Sequence, residues 1–169
     1  MDGIFQRASA CDVSHIYSLI RTRIAWMDDQ GIESWNKTDY LDRFPEAYFL
    51  KKCHTGELYV LRGSDGELHV AVVLLTEDKR WDGLPPAHAY YLHNLVSAPD
   101  AHGAGRTILH CVETLAHQNG KEVLRLDCIR GNKAINRFYE RAGYLACGEC
   151  KDGPYHGILR EKRLAATPQ

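Results

Sequence analysis

Residues 97–116, SAPDAHGAGRTILHCVETLA, constrain this chain more than any other stretch. Pro99 and Asp100 lead into Gly103-Ala104-Gly105, and apolar residues then recur at helical spacing: Ile108, Leu109, Val112, Leu115 and Ala116. Upstream, 89-AYYLHNLVS-97 has the composition of a strand, and so has 122-EVLRLDC-128 downstream. Strand, glycine turn, helix and strand make one unit, with its connection expected to be a right-handed crossover. Glycine in a helix costs up to about 1 kcal/mol relative to alanine. Two of them in an opening turn imply that something comes close to the backbone. The first turn of a helix presents unpaired N–H groups and a partial positive charge, so the expected visitor is an anion.

The remaining pattern surrounds this unit with alternating elements. Residues 3–8 read as a short strand. Ser9 or Asp12 can cap a helix over 12–27 whose stripe is Val13, Ile16, Leu19, Ile20 and Ile24. A polar connector begins at Gly31 and runs into a second helix ending near Lys52. Segments 57–63 and 67–77 are strands joined by Gly63-Ser64-Asp65-Gly66, which is hairpin chemistry. Residues 78–88 form a loop with two prolines. After the helix at about 104–119, Asn119-Gly120 is a stop signal. Asn132 is placed to cap a helix over 132–142, and strands are expected at 144–149 and 155–163. The order β-α-α-β-β-β-α-β-α-β-β specifies an α/β (α+β) fold, a mixed central sheet of about six to seven strands with helices on both faces.

Length and charge narrow the function classes. The chain has 169 residues, which predicts one domain over 1–165 and a short tail at 166–169. Net charge is −1 and no run of lysine or arginine stands out, so neither a nucleic-acid surface nor an anionic-membrane surface is expected. No apolar run approaches the ~20 residues of a membrane span, and MDGIFQRASACD lacks a secretory pattern. These features read as mature cytoplasmic protein. Six scattered cysteines agree with a reducing compartment, with Cys111 and Cys128 as small core residues. Cys147-Gly-Glu-Cys150 is a lone C-x-x-C late in the chain, with His156 as one further zinc-ligand candidate, and ordinary thiols are the expectation. No metal site is expected.

A bare G-x-G turn has several readings. A dinucleotide fold wants a third glycine where Ile108 stands, although Asp127 ends the next strand as such a fold would require. A phosphate loop of the Walker type wants a lysine where Gly105-Arg106-Thr107 has none. A tight helix entry with nothing bound is the remaining alternative.

The second half of the chain favours another reading. Taken together, 92-LHNLVSAPDAHGAGRTILHCVETLA-116 and 125-RLDCIRGNKAINRFYERAGY-144 resemble the GNAT superfamily of acyl-CoA-dependent N-acyltransferases. Its Q/R-x-x-G-x-G/A loop corresponds to His102, Gly103, Ala104, Gly105, Arg106 and Thr107. Its later asparagine, small residue, tyrosine and Gly-Phe/Tyr pair correspond to Asn132, Ala134, Tyr139, Gly143 and Tyr144. The resemblance is clearest over about 89–149, while 26-WMDDQGIESW-35 looks like a W-x-x-x-x-G-I-x-x-W pattern of some uncharacterised bacterial members. His102 replaces the usual glutamine or arginine, Thr107 replaces a small residue, and Ser97 stands where an apolar residue is common.

The resemblance implies acetyl-CoA as cosubstrate, without a metal, and direct attack by an amine in a ternary complex. It implies that Leu95, Val96, Ser97, the loop 102–107, Asn132 and Ala134 bind the cofactor, with a backbone N–H near Leu95 or Val96 polarising the thioester. It makes Tyr139 the general acid at the leaving thiolate, against plain packing beside Phe138. Some members carry a histidine as base on the strand before the loop. His93 lies there, and period-two alternation groups it with Tyr91 and Leu95; a half-buried structural histidine is the alternative. Trp26, Glu33, Trp35 and Tyr91 are the candidates for meeting the acceptor, a primary amine of a small molecule or peptide. A homodimer is compatible with this reading. A non-catalytic acyl-CoA-binding module of the same fold is the runner-up, and a nucleotide-dependent oxidoreductase is third.

Overall fold

A computed structural model describes residues 3–165, so the tail expected at 166–169 lies outside the described residues. Seven strands form one mixed sheet, in the order Gly3–Arg7, Leu58–Gly63, Leu68–Leu75, Ala89–Ser97, Val123–Ile129, Tyr155–Arg163 and Leu145–Asp152. The chain divides into two compact units. One takes in the residues through Leu74 together with Asn94–Leu109, and the other takes in Leu75–His93 with the residues from His110 onward.

In the first unit, β1 (Gly3–Arg7) pairs antiparallel with β2 (Leu58–Gly63), and β2 with β3 (Leu68–Leu75). The β2–β3 hairpin closes where expected, with Gly63 N–H donating to Glu67 O at 2.9 Å. Helix α1 (Val13–Asp29) buries Val13, Ile16 and Ile20, while Leu19 and Ile24 are only half-buried. Its entry is fixed by Asp12, whose Oδ2 accepts the Ser9 N–H at 2.7 Å and the Ser9 hydroxyl at 2.9 Å. The Asp12 carboxylate also pairs with Arg62.

The single second helix expected to end near Lys52 is two helices, α2 (Tyr40–Arg43) and α3 (Glu46–His54). Pro45 separates them. The residue before a proline is pushed out of the helical region, and Phe44 has φ −127° and ψ 70°.

The second unit is built on β5 (Val123–Ile129). The first half of β4 (Ala89–Ser97) runs parallel to it, Ala89 opposite Val123 through Leu92 opposite Leu126. On its other side β7 (Tyr155–Arg163) is antiparallel, and β6 (Leu145–Asp152) pairs antiparallel with β7. The link from β4 to β5 is α4 (Ala104–Gln118), as the strand–turn–helix–strand pattern required. Asn132 caps α5 (Lys133–Arg141): its Oδ1 accepts the N–H groups of Ala134 and Ile135, both at 3.1 Å. A packed cluster of Trp81, Ala89, Tyr91, Val123 and Leu159 anchors this unit.

Two buried arginines cross that unit's interior. Arg160 is 2% exposed and donates to Tyr144 O at 3.1 Å, Asn136 Oδ1 at 2.8 Å and Glu140 Oε1 at 2.9 Å. Arg125 lies over the Trp81 ring at 4.6 Å and bonds Glu161 at 2.8 Å and Pro85 O at 2.8 Å. Burial of an arginine is tolerated only with such partners. No helix among the described residues is long and apolar enough to cross a membrane.

Candidate active site

The glycine turn lies in the first unit. Gly103 has φ +82°, a left-handed backbone that glycine adopts without the clash of a Cβ. A Cβ there would meet nothing within 4 Å, so the space beside the turn is open. The Ala104 N–H is used on Ala101 O at 3.1 Å, and those of Arg106 and Thr107 on Gly103 O at 3.0 and 3.1 Å. Among the described residues, no backbone acceptor is found for the N–H of Gly103 or Gly105. Two unsatisfied donors at the mouth of a fifteen-residue helix, next to open space, suit an anion. His102 and Arg106 are exposed beside them, and the Thr107 hydroxyl turns back to Gly103 O at 3.3 Å. Ala104 is fully buried.

The second half of β4 leads into this turn, and its geometry departs from the expected alternation. Asn94 has φ +52°. An extended strand cannot continue through that conformation, so the period that groups Tyr91, His93 and Leu95 breaks after His93. Asn94 is clasped by two phenols: its Nδ2 donates to Tyr40 Oη at 2.7 Å, and Tyr48 Oη donates to its Oδ1 at 3.1 Å. Burial pushes the Tyr40 phenol well above its ordinary pKa, so it stays protonated. Trp35 stacks on Tyr40 with ring centres 4.3 Å apart. Beyond the kink Val96 is buried and Leu95 half-buried. Two acceptors of Ser97 are engaged: Arg23 of α1 donates to its carbonyl through Nε at 2.9 Å, and to its hydroxyl oxygen through Nη2 at 2.9 Å. Trp26 covers that guanidinium at 4.7 Å, whereas Glu33 is exposed.

The other expected side chains belong to the second unit. Tyr139 is 7% exposed and packs edge-on against Phe138 and Tyr144. Burial, then the neighbouring Cys128 sulfur and Asp127 carboxylate, push its phenol well above the ordinary range. The hydroxyl is therefore a stored proton at any physiological pH. Tyr91 is core, in the Trp81 cluster, with its hydroxyl accepting from Arg125 at 3.3 Å. That packing accounts for it without an acceptor. Asn132 spends its side-chain oxygen on the α5 cap, and Ala134 is exposed in the first turn.

His93 is not a lone histidine. Its Nε2 lies 2.8 Å from Asp78 Oδ2, and both side chains are about nine-tenths buried, at 11% and 9% exposure. Asp78 sits at the head of a 3₁₀ turn, Lys79–Trp81, and its Oδ1 accepts the Arg80 N–H at 3.0 Å. The Arg80 guanidinium bonds Asp127 Oδ1 at 2.9 Å, and Tyr155 donates to Asp127 Oδ2 at 2.5 Å. Asp78, His93 and Asp127 bring one ligating atom each within 4.8 Å of one another. Both Asp127 oxygens are engaged, Oδ1 by Arg80 and Oδ2 by Tyr155.

Asn94, Tyr40, Tyr48, Arg23 and Asp78 were not singled out from the sequence. Two carried a signal. Asparagine inside a run of strand formers is the residue that, after glycine, most readily turns left-handed. Asp78 stands one residue ahead of a short polar turn, as a cap does. The tyrosines and Arg23 carried none, because their partners are 46 to 74 residues away.

Known proteins resemble the chain over nearly its whole length. The model of the acetyltransferase (GNAT) family matches residues 20–144. The uncharacterised N-acetyltransferase YesJ of Bacillus subtilis is 31% identical over 163 residues, spanning 92% of this chain and 87% of its own. A GNAT-family acetyltransferase of Listeria monocytogenes has a TM-score of 0.78 at 24% identity, over 96% of this chain and 95% of that one. The PaiA N-acetyltransferase of Thermoplasma acidophilum, solved in complex with coenzyme A, has a TM-score of 0.71 at 18% identity, over 96% and 99%. The two structures are likenesses of fold.

Proposed function

Because this chain belongs to the GNAT acetyltransferase family, we propose that it moves an acetyl group from acetyl-CoA to a primary amine of a small molecule or peptide. The observation that carries this reading is the turn at Gly103–Thr107, with two unspent N–H donors at the head of α4 and open space beside Gly103. A pyrophosphate fits that donor set, and the backbone supplies it whatever stands at positions 102 and 107. Acetyl-CoA supplies an activated thioester, whose carbonyl the N–H of Leu95 or Val96 polarises where β4 leaves regular pairing.

The chain's own side chains handle protons. The acceptor arrives as an ammonium and must lose one proton before its nitrogen can attack. His93 takes that proton. Formation of the C–N bond and cleavage of the C–S bond release a second proton from nitrogen and leave a thiolate. Tyr139, held protonated by burial, delivers a proton to that sulfur and recovers one from the solvent. Trp26, Trp35 and Glu33 are the residues proposed to meet the acceptor, two apolar faces and one anion for a cationic amine.

The turn is tested by Gly105→Glu. It puts a carboxylate where the phosphates belong, and calorimetry should show CoA affinity lost while the circular dichroism spectrum and melting temperature persist. Unchanged affinity would remove the turn from the cofactor site. Turnover over a panel of amines, read as CoA release from acetyl-CoA, tests the transfer itself. CoA binding with no turnover on any amine would leave a binding module.

A further inference from the structure

We propose that Asp78 is a positioning residue for His93: it fixes the imidazole as the Nε2–H tautomer and makes Nδ1 the atom that accepts the acceptor's proton. The inference rests on the acyltransferase reading with His93 as base. It begins from the two oxygens of Asp78. Oδ1 accepts the Arg80 backbone N–H at 3.0 Å, and Oδ2 faces His93 Nε2 at 2.8 Å. An ionised carboxylate can only accept, so Nε2 must donate. The carboxylate is ionised. Burial pushes its pKa up, but the hydrogen bond from His93, the charge that ring carries once protonated, the Arg80 N–H and the Arg80 guanidinium outweigh burial and leave it below the ordinary range. A neutral imidazole carrying its proton on Nε2 has its lone pair on Nδ1.

The surrounding charges are arranged to keep this pair in place. Arg80 bridges Asp127 and, at 3.5 Å, Asp152 on the rim, and lies 5.6 Å from the Tyr155 ring. Tyr155 holds the second Asp127 oxygen. The Cys150 thiol, pushed up to about 11 by burial and the Asp127 charge, stays neutral here. The buried carboxylates Asp78 and Asp127 therefore face one permanent cation, Arg80. When His93 takes a proton, the imidazolium supplies the second positive charge to the cluster. That second charge offsets the buried pair Asp78 and Asp127, while Asp152 stays on the exposed rim. The short turn Lys79–Trp81 sets the position of Asp78, and Trp81 pins that turn in the unit's core.

The substitution Asp78→Asn discriminates because asparagine has one acceptor where aspartate has two. The Arg80 N–H is fixed in the backbone and retains the oxygen. The amide NH₂ then faces Nε2, which must accept, and the ring proton moves to Nδ1. Long-range ¹H–¹⁵N NMR on the full-length protein, with His93 assigned through the loss of its signals in His93→Gln, reads the tautomer directly. The expected wild-type result is Nε2–H, and the expected Asp78→Asn result is Nδ1–H. Turnover of Asp78→Asn should fall by about 10²-fold or more, with CoA affinity within twofold of wild type. In Asp78→Ala, added formate should restore part of the lost rate by occupying the vacated carboxylate position. A wild-type Nδ1–H tautomer overturns the proposal, and that measurement needs no variant to fold. Wild-type turnover in Asp78→Asn also overturns it. Wild-type turnover in His93→Gln instead removes the base reading on which the proposal stands, whichever tautomer is found.

Discussion

Asn94 offers a test in which the smaller side chain does less harm. Its φ of +52° places it where an alanine Cβ crowds the following carbonyl, and its amide joins the Tyr40 and Tyr48 hydroxyls. Asn94→Ala removes both hydrogen bonds, each worth about 1 kcal/mol net. It also puts a Cβ-bearing residue without a local hydrogen-bonding group into the left-handed region, at a further cost of about 1 kcal/mol. The sum is about 3 kcal/mol. Asn94→Gly loses the same two bonds and relieves the backbone. Part of that relief is returned as extra freedom in the unfolded chain, so the net loss is about 2 kcal/mol. Urea denaturation followed by tryptophan fluorescence should place the variants in the order wild type, Asn94→Gly, Asn94→Ala, with equal m-values. Ordinary strands give the reverse order, since glycine weakens a strand interior. An Asn94→Ala variant as stable as Asn94→Gly, or more stable, would refute the left-handed kink in β4 and with it the account of how Leu95 and Val96 leave regular pairing.

Two further outcomes are expected. Tyr139→Phe keeps the edge-on packing against Phe138 and Tyr144 while deleting the proton, so turnover should fall ~10²–10⁴-fold with little change in acetyl-CoA binding; full activity in steady-state kinetics would assign this ring to packing. The lowered pKa of Asp78 also makes a statement about acid. A folded-state pKa below the unfolded value of about 3.9 gives stability that is complete above that value and disappears as pH falls through the folded one. Wild type should therefore lose stability faster than Asp78→Asn between about pH 5 and pH 2, measured by denaturant titration at each pH. A gap between the two that widens on acidification would contradict the assigned ionisation of Asp78.

The fold was legible wherever a local pattern is also the final one. The strand, glycine turn, helix and strand of 89–128 form as β4, α4 and β5, because period, turn chemistry and stop signal all agree there. The hairpin at Gly63–Gly66 and the Asn132 cap are local in the same sense. The second helix is two because Pro45 stands between Phe44 and Glu46 and pushes Phe44 out of the helical region, although apolar residues run on through Phe44, Tyr48 and Phe49. Tyr91 reads as a candidate for meeting the acceptor because a tyrosine in a strand looks alike whether its ring meets a ligand or a buried arginine. Only the tertiary placement of Arg125 and Trp81 decides.

The candidate functional residues divide along the same line. The turn proposed to bind an anion is backbone chemistry, written into six consecutive residues at 102–107, and a sequence displays it directly. The network proposed to handle protons is assembled within the second unit from residues far apart: Asp78 and His93 are 15 positions apart, Arg80 and Asp127 47, and Asp127 and Tyr155 28. Nothing local obliges those residues to meet. What brings them together is the β5–β7 ladder, which sets Asp127 opposite Leu159, and the hydrophobic seating of Trp81, which drags its short turn and Asp78 inward. A buried histidine on a strand is ambiguous by composition, and it becomes a candidate base only when an acceptor-only partner fixes which nitrogen is left with a lone pair. The chemistry of His93 is therefore specified less by the strand that carries it than by a tryptophan three residues beyond its partner.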